Sequence, residues 1–204
     1  MLDRRNWLKA LAAAAGGGVI PATLRGALQC GPPTPPWGVQ SCVAGIPQER
    51  LNTVFAYQQA SEWCWAACIQ MVFSYWGHPL SQQEIVKQTW GGIANMPAQP
   101  IQIVQDLNRG WRDARGVQFT SEGDYFSANG ITAAQDLAQE MPLIIGSMGH
   151  AMVLTAVSYN RAQNGTGQIT GALVRDPLPG NGGRRPLSAY EAAATMLLIR
   201  IRVL

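Results

Sequence analysis

The sequence predicts an α+β fold: a helical half packed against a small antiparallel β-sheet. Three observations carry this. Helical signals cluster between residues 60 and 140, while runs of Val, Ile, Leu and Thr bounded by Gly, Asn and Pro follow Pro142. Apolar residues at 47% supply a core, and charged residues at only 13%, with 22 Gly and 13 Pro, exclude a coiled coil or a disordered chain. The 204 residues suit one substantial domain.

The chain divides into three stretches, 1–27, 28–50 and 51–204. The first has Arg4-Arg5-Asn6-Trp7-Leu8-Lys9 before the weakly apolar run Ala10–Ile20, which is too short for a permanent membrane anchor. Paired arginines followed by Trp7, Leu8 and Lys9 resemble a bacterial twin-arginine export signal, although Asp3 replaces the usual hydroxyl residue. The resemblance implies a twin-arginine export machinery as partner of the precursor and a periplasmic or secreted product. An Ala-rich helix packed on the body is the alternative. The net charge of +3 belongs to this stretch: Arg4, Arg5, Lys9 and Arg25 stand against Asp3, and from Ala27 onward 11 basic residues meet 11 acidic ones. A neutral body argues against holding nucleic acid or an anionic membrane by charge, and no stable membrane insertion is expected.

Residues 28–50 read as a Pro-rich extended lead-in, from Gly31-Pro32-Pro33-Thr34-Pro35-Pro36. Cys30 and Cys42 flank it and are candidates for a disulfide, which an oxidising compartment would permit. Leu51–Tyr57 reads as loop or short strand. Ala60–Tyr75 is the strongest helix, apolar on most sides and therefore central, and Gly77 stops it. Ser81–Trp90 follows, with Ser81 as cap and Glu84 three residues on. Pro100–Leu107 carries a stripe of Ile101, Val104 and Leu107, and Ile131–Glu140 ends before Pro142. Leu143–Gly146, Met148–Tyr159 and Gln168–Arg175 are strands, Leu187–Ala194 a short helix, and Met196–Val203 a last strand.

The chain contains two histidines, His78 and His150, which makes the search for acid–base chemistry short. Cys64 lies in the first turns of the central helix, where unpaired backbone N–H groups favour a thiolate. A thiolate nucleophile needs an imidazole, and the imidazole needs a third group to fix its tautomer. His150 opens one strand and Asp176 ends the next, so antiparallel pairing would bring them together. Gln58, six residues before Cys64, is placed to direct its amide at an oxyanion together with a backbone N–H. A helix cysteine is also a common core residue. The residue types alone therefore leave a cysteine hydrolase and a domain with inert Cys and His both open.

Gln58-x5-Cys64-Trp65-Ala66-Ala67, then Gly149-His150-Ala151-Met152-Val153-Leu154 and Arg175-Asp176-Pro177, resembles the papain-like cysteine peptidases over roughly residues 51–204. The nearest resemblance is to the compact bacterial branch that includes secreted effector proteases of the AvrRpt2 kind. The resemblance implies a papain-like fold and a protein or peptide substrate. It makes Cys64 the nucleophile, His150 the general base and acid, Asp176 the group orienting it, and Gln58 the oxyanion residue. The peptide bond would be hydrolysed through an acyl-enzyme, by a monomer needing no cofactor or metal. Trp65, Gly149, Trp63 and His78 are candidates for the substrate cleft. Cys68 reads as packed core, since zinc binding by Cys64, Cys68 and the two histidines matches no structural spacing. Gly180–Arg185 reads as a solvated basic rim. The rival activities are an amidase, a deubiquitinase-like enzyme or a transpeptidase with the same triad, and a non-catalytic binding domain of the same fold.

Overall fold

A computed structural model describes residues 27–125, 130–181 and 183–204. The expected export segment lies outside the described residues except for Ala27. Nine strands join one sheet: β1 (Ala27–Cys30), β2 (Gln40–Gly45), β3 (Arg109–Arg112), β4 (Gln118–Asp124), β5 (Leu143–Ser147), β6 (His150–Arg161), β7 (Gly167–Arg175), β8 (Arg184–Pro186) and β9 (Thr195–Val203). Six helices accompany them: α1 (Gln48–Val54), α2 (Cys64–Tyr75), α3 (Gln82–Trp90), α4 (Pro100–Leu107), α5 (Gly130–Ala138) and α6 (Ala189–Ala193).

The sheet runs β1-β2-β6-β5-β9-β4-β3, and β7 pairs with both β6 and β8. All pairings are antiparallel. Strand β6 is the hub: β5 pairs with its residues 150–154, β2 with residues 156–161, and β7 with residues 153–161. The central strands are apolar on both faces. Ile144, Val153 and Ile199 join the cluster built on α2, α3 and α4, whereas their neighbours Leu143, Ile145, Met152, Leu154 and Leu198 join the cluster containing Ala133, Ala134 and Leu137 of α5. A sheet covered on both sides has continuous apolar runs rather than polar alternation.

The helix α2 is the central one, with nine of its twelve residues buried. It begins at Cys64 rather than at Ala60. The Gln58 side chain explains the shortening: its Nε2 donates to the carbonyls of Ala60 and Ser61, holding those residues in a turn. The predicted caps of α3 are present, with Ser81 Oγ accepting from the Glu84 N–H and Gly91 in the left-handed region at φ 74°.

Three parts of the chain differ from expectation. Of Leu51–Tyr57 only residues 55–57 are loop; residues 51–54 are helical, because α1 covers Gln48–Val54. Its stability is tertiary: the buried Arg175 guanidinium donates to Gln48 Oε1 (3.2 Å) and Asn52 Oδ1 (2.5 Å), one helical turn apart. The lead-in is not a linker, since β1 and β2 belong to the sheet, with Cys42 and Ala44 fully buried. Cys30 and Cys42 face each other in the β1–β2 register and form a disulfide. The hairpin β3–β4 was not anticipated; it buries Trp111 and Phe119, and Asp113 accepts from the N–H groups of Arg115 and Val117 at its turn. No helix of the described residues is long and apolar enough to cross a membrane.

Candidate active site

Three elements converge on one pocket. Cys64 is the first residue of α2 and half-buried, with no side chain capping that helix end. The His150 ring and the backbone N–H groups of Ala151 and Trp65 are near enough to the thiol to favour its charged form. His150 is the first residue of β6, and its Nε2 lies 2.7 Å from Asp176 Oδ1, which leaves Nδ1 outside that contact. Asp176 follows β7 directly, so the β6–β7 register brings it to the same end of the sheet.

The Asp176 carboxylate is fully buried and completely satisfied. Besides His150 it accepts from the Leu178 N–H (2.9 Å), Asn181 Nδ2 (2.8 Å) and Arg185 Nε (2.8 Å). Burial works against its charge, but these donors outweigh burial and hold its pKa well below the usual carboxylate range. Burial also pulls His150 down, yet the hydrogen bonds to Asp176 and Cys64 reverse the sign and leave it at about 9. For Cys64, burial pushes the thiol up, and the His150 hydrogen bond with the Ala151 and Trp65 N–H groups brings it below its ordinary value. The two shifts act in the same direction, toward a thiolate beside an imidazolium. Cys68, one turn on, is fully buried and pushed well above the normal thiol range by burial.

The pocket above the thiol has a volume of about 390 Å³, and its lining includes Cys64, Trp65, Ile103, Gly149, His150 and Leu178. Gln58 lines it too, 9% exposed. Its amide nitrogen is engaged by the Ala60 and Ser61 carbonyls, while its Oε1 is buried without a partner. The N–H of Gln58 donates to the Pro177 carbonyl (2.8 Å), tying the segment before the thiol to the residue after Asp176. Gln82 fixes this segment from α3: fully buried, it accepts from the Gln59 N–H and donates to the Tyr57 carbonyl.

Two cleft candidates lie elsewhere. His78 stacks on Phe119 with ring centroids 4.2 Å apart and lies beyond the far end of α2. A 12-residue helix is about 18 Å long, which puts His78 out of reach of the thiol. Trp63 is 5% exposed, donates to the Ala94 carbonyl and packs into the core rather than lining the pocket. Trp65 does line it, with its indole N–H on the Met96 carbonyl.

The expected basic rim is also different from its sequence reading. Arg185 sits on β8 and bridges two carboxylates, Asp176 and Glu191 of α6. Glu191 is itself fixed by the Ser188 hydroxyl and N–H, and its backbone carbonyl accepts from Ser147 Oγ in the pocket wall. The Ser188-x-x-Glu191 capping-box spacing is the one local signal for this arrangement. Among the described residues, no group of three or more His, Cys, Asp or Glu side chains is placed to hold a metal ion.

The hairpin leading into His150 has its own peculiarity. Ser147 pairs with His150, leaving Met148 and Gly149 as a two-residue turn with φ of 53° and 77°. Positive φ at both positions defines a type I′ turn, for which Asn-Gly is favoured. An L-residue such as methionine pays roughly 1–2 kcal/mol for that conformation.

Comparison with known proteins supplies the remaining observations. The model of the Peptidase_C39 like family matches residues 50–195. No curated protein matches the chain. The solved structure titled as the crystal structure of UfSP from C. elegans is similar at 16% identity with a TM-score of 0.45, over 91% of this chain and 35% of that one. The chain thus spans about a third of the length of that structure.

Proposed function

Because this chain belongs to the Peptidase_C39 like family, with a papain-like cysteine-peptidase type of fold, we propose that it is a thiol hydrolase cleaving amide bonds in peptide-type substrates. The observation that carries the proposal is the His150–Asp176 contact of 2.7 Å, with Cys64 and His150 lining the same pocket. The Cys64 thiolate attacks the carbonyl carbon, and the bond to nitrogen breaks as His150 protonates the departing amine. Water, deprotonated by His150, then attacks the thioester, releasing the acid and returning the thiol. Asp176 orients the imidazole and stabilises its cationic form. The Trp65 and Ala151 N–H groups supply positive dipole beside the thiolate. The engagement of the Gln58 amide by two carbonyls gives that residue a further task, holding the turn from which α2 starts.

Peptide-bond hydrolysis is one form of this chemistry. The family likeness supports equally its use by an amidase, a deubiquitinase-like enzyme or a transpeptidase, since the likeness concerns the thiol centre and not the amine that leaves. A half-buried thiol that lines the pocket, while Cys68 one turn on is fully buried, speaks against a purely binding role. Iodoacetamide labelling near neutral pH tests the centre: rapid modification of Cys64, lost in His150→Ala, is expected. An unreactive Cys64 in folded, reduced protein sinks the assignment. Cleavage of a peptide library, run with and without added amine nucleophiles, separates hydrolysis from transfer.

Residues 1–27 are proposed as an export signal removed from the mature protein, and the disulfide between Cys30 and Cys42 supports an oxidising destination. Changing Arg4 and Arg5 to lysine should retain the precursor in the cytoplasm, as read by fractionation. Undiminished export by the twin-lysine variant overturns the twin-arginine route.

A further inference from the structure

Methionine occupies a turn position that suits asparagine or glycine far better, and it does so at the mouth of the pocket. Met148 has φ 53°, and its residue surface is 57% exposed. It lines the same pocket as Cys64 and stands two residues before His150. A strained residue is retained only where its surroundings or its task require it, and such positions cluster at ligand-binding sites. Here the surroundings do not require it, because an exposed side chain contributes little to packing. The turn itself requires positive φ, a demand that Gly149 beside it meets at no steric cost.

The rest of the mouth has matching chemistry. Leu178, from the segment after Asp176, also lines the pocket and is 39% exposed. Pro97, Ala98 and Ile103 extend the apolar wall, and Glu62 is the single carboxylate of the lining. Met96 and Ile101, next in sequence to the lining residues Pro97 and Pro100, are 46% and 49% exposed. Exposed apolar side chains on two sides of one cleft mark a surface that is covered in use. An unbranched thioether adapts to irregular apolar partners better than a branched side chain does.

We propose that Met148 is a specificity-determining residue, gripping an apolar side chain of the substrate beside the scissile amide bond, and that the turn carries its strain for that contact. The proposal rests on the thiol-hydrolase reading. It assigns to the substrate an apolar residue at the cleavage site, and predicts poor cleavage of sequences with glycine or a charged residue there.

The test uses the disulfide-bonded protein with Met148→Gly, Met148→Asn and Met148→Leu. Glycine and asparagine relieve the turn, so both variants should melt about 3 °C higher. Their preference for an apolar over a glycine-bearing peptide should fall about 10-fold, through a higher KM for the apolar one. Met148→Leu keeps the strain and the apolar contact, and should keep the preference. An unchanged preference in both relieved variants overturns the proposal. Alkylation of wild-type Cys64 separates this failure from that of the catalytic reading. A labelled thiol with unchanged preference removes only the role of Met148, whereas an unreactive thiol removes both.

Discussion

At the scale of single residues, the site is a thiol and an imidazole whose proton positions are set by their neighbours. His150 at about 9 protonates a leaving amine only while it carries its proton, so activity should decline above roughly pH 9. Asp176 raises that value through its hydrogen bond and charge. Replacing it with Asn should therefore move the alkaline limb of the pH–rate profile to lower pH, and a limb that stays in place refutes the assignment. The same shift has a sign for stability. The folded-state value lies above the ordinary 6.5, so the contribution of His150 is complete below about pH 6.5 and is lost as pH rises through 9. Urea melts of wild type and His150→Ala should converge above that pH. Arg185 acts through Asp176: Arg185→Met leaves both Asp176 and Glu191 without their cation, and should cost about 2–3 kcal/mol in chemical denaturation while lowering kcat more than it changes KM.

At the scale of elements, the parts that were legible in the sequence are those with strong local signals. The capped α3, the Pro-initiated α4, the apolar α2 and the strands β5, β6, β7 and β9 all stand within a few residues of expectation. Two of the elements without a local signal take their stability from distant partners. Helix α1 is held by Arg175, more than 120 residues away in sequence, and β2 by the second half of β6. The site divides in the same way. The residues Cys64, His150, Asp176 and Gln58 are singled out by motif and spacing; Cys64, His150 and Gln58 line one pocket, and Asp176 lies buried behind it on the His150 ring. The role of Gln82 has no local mark, and that of Arg185 only the nearby Ser188-x-x-Glu191 spacing, because a glutamine and an arginine look like surface residues until the fold encloses them. Gln82 makes this testable. Gln82→Leu removes the partners of the Gln59 N–H, the Tyr57 carbonyl and Gln70, and should destabilise the protein by about 2 kcal/mol. Since that segment precedes the thiol, the variant should also react more slowly with iodoacetamide, a change that loss of stability alone does not produce in fully folded protein.

At the scale of the whole molecule, one end of the sheet is fastened covalently. The Cys30–Cys42 disulfide closes a span of 12 residues at the β1 edge, worth about 3 kcal/mol on loop entropy. Reductant, or Cys30→Ser with Cys42→Ser, should lower the melting temperature while Cys64 still reacts, because the pocket lies at the β5–β6 turn and not at that edge. The order of strands has a different kind of consequence. Strand β9 follows all other strands along the chain, yet it lies between β5 and β4 in the interior of the sheet. Synthesis makes α2, β6 and β7, with Cys64, His150 and Asp176, before it makes the strand that seats β5. The wall of the pocket is closed by Leu197 of that late strand. A chain whose β9 has yet to insert thus carries Cys64 in a pocket that lacks one wall, so completion of the pocket waits on the insertion of an interior strand.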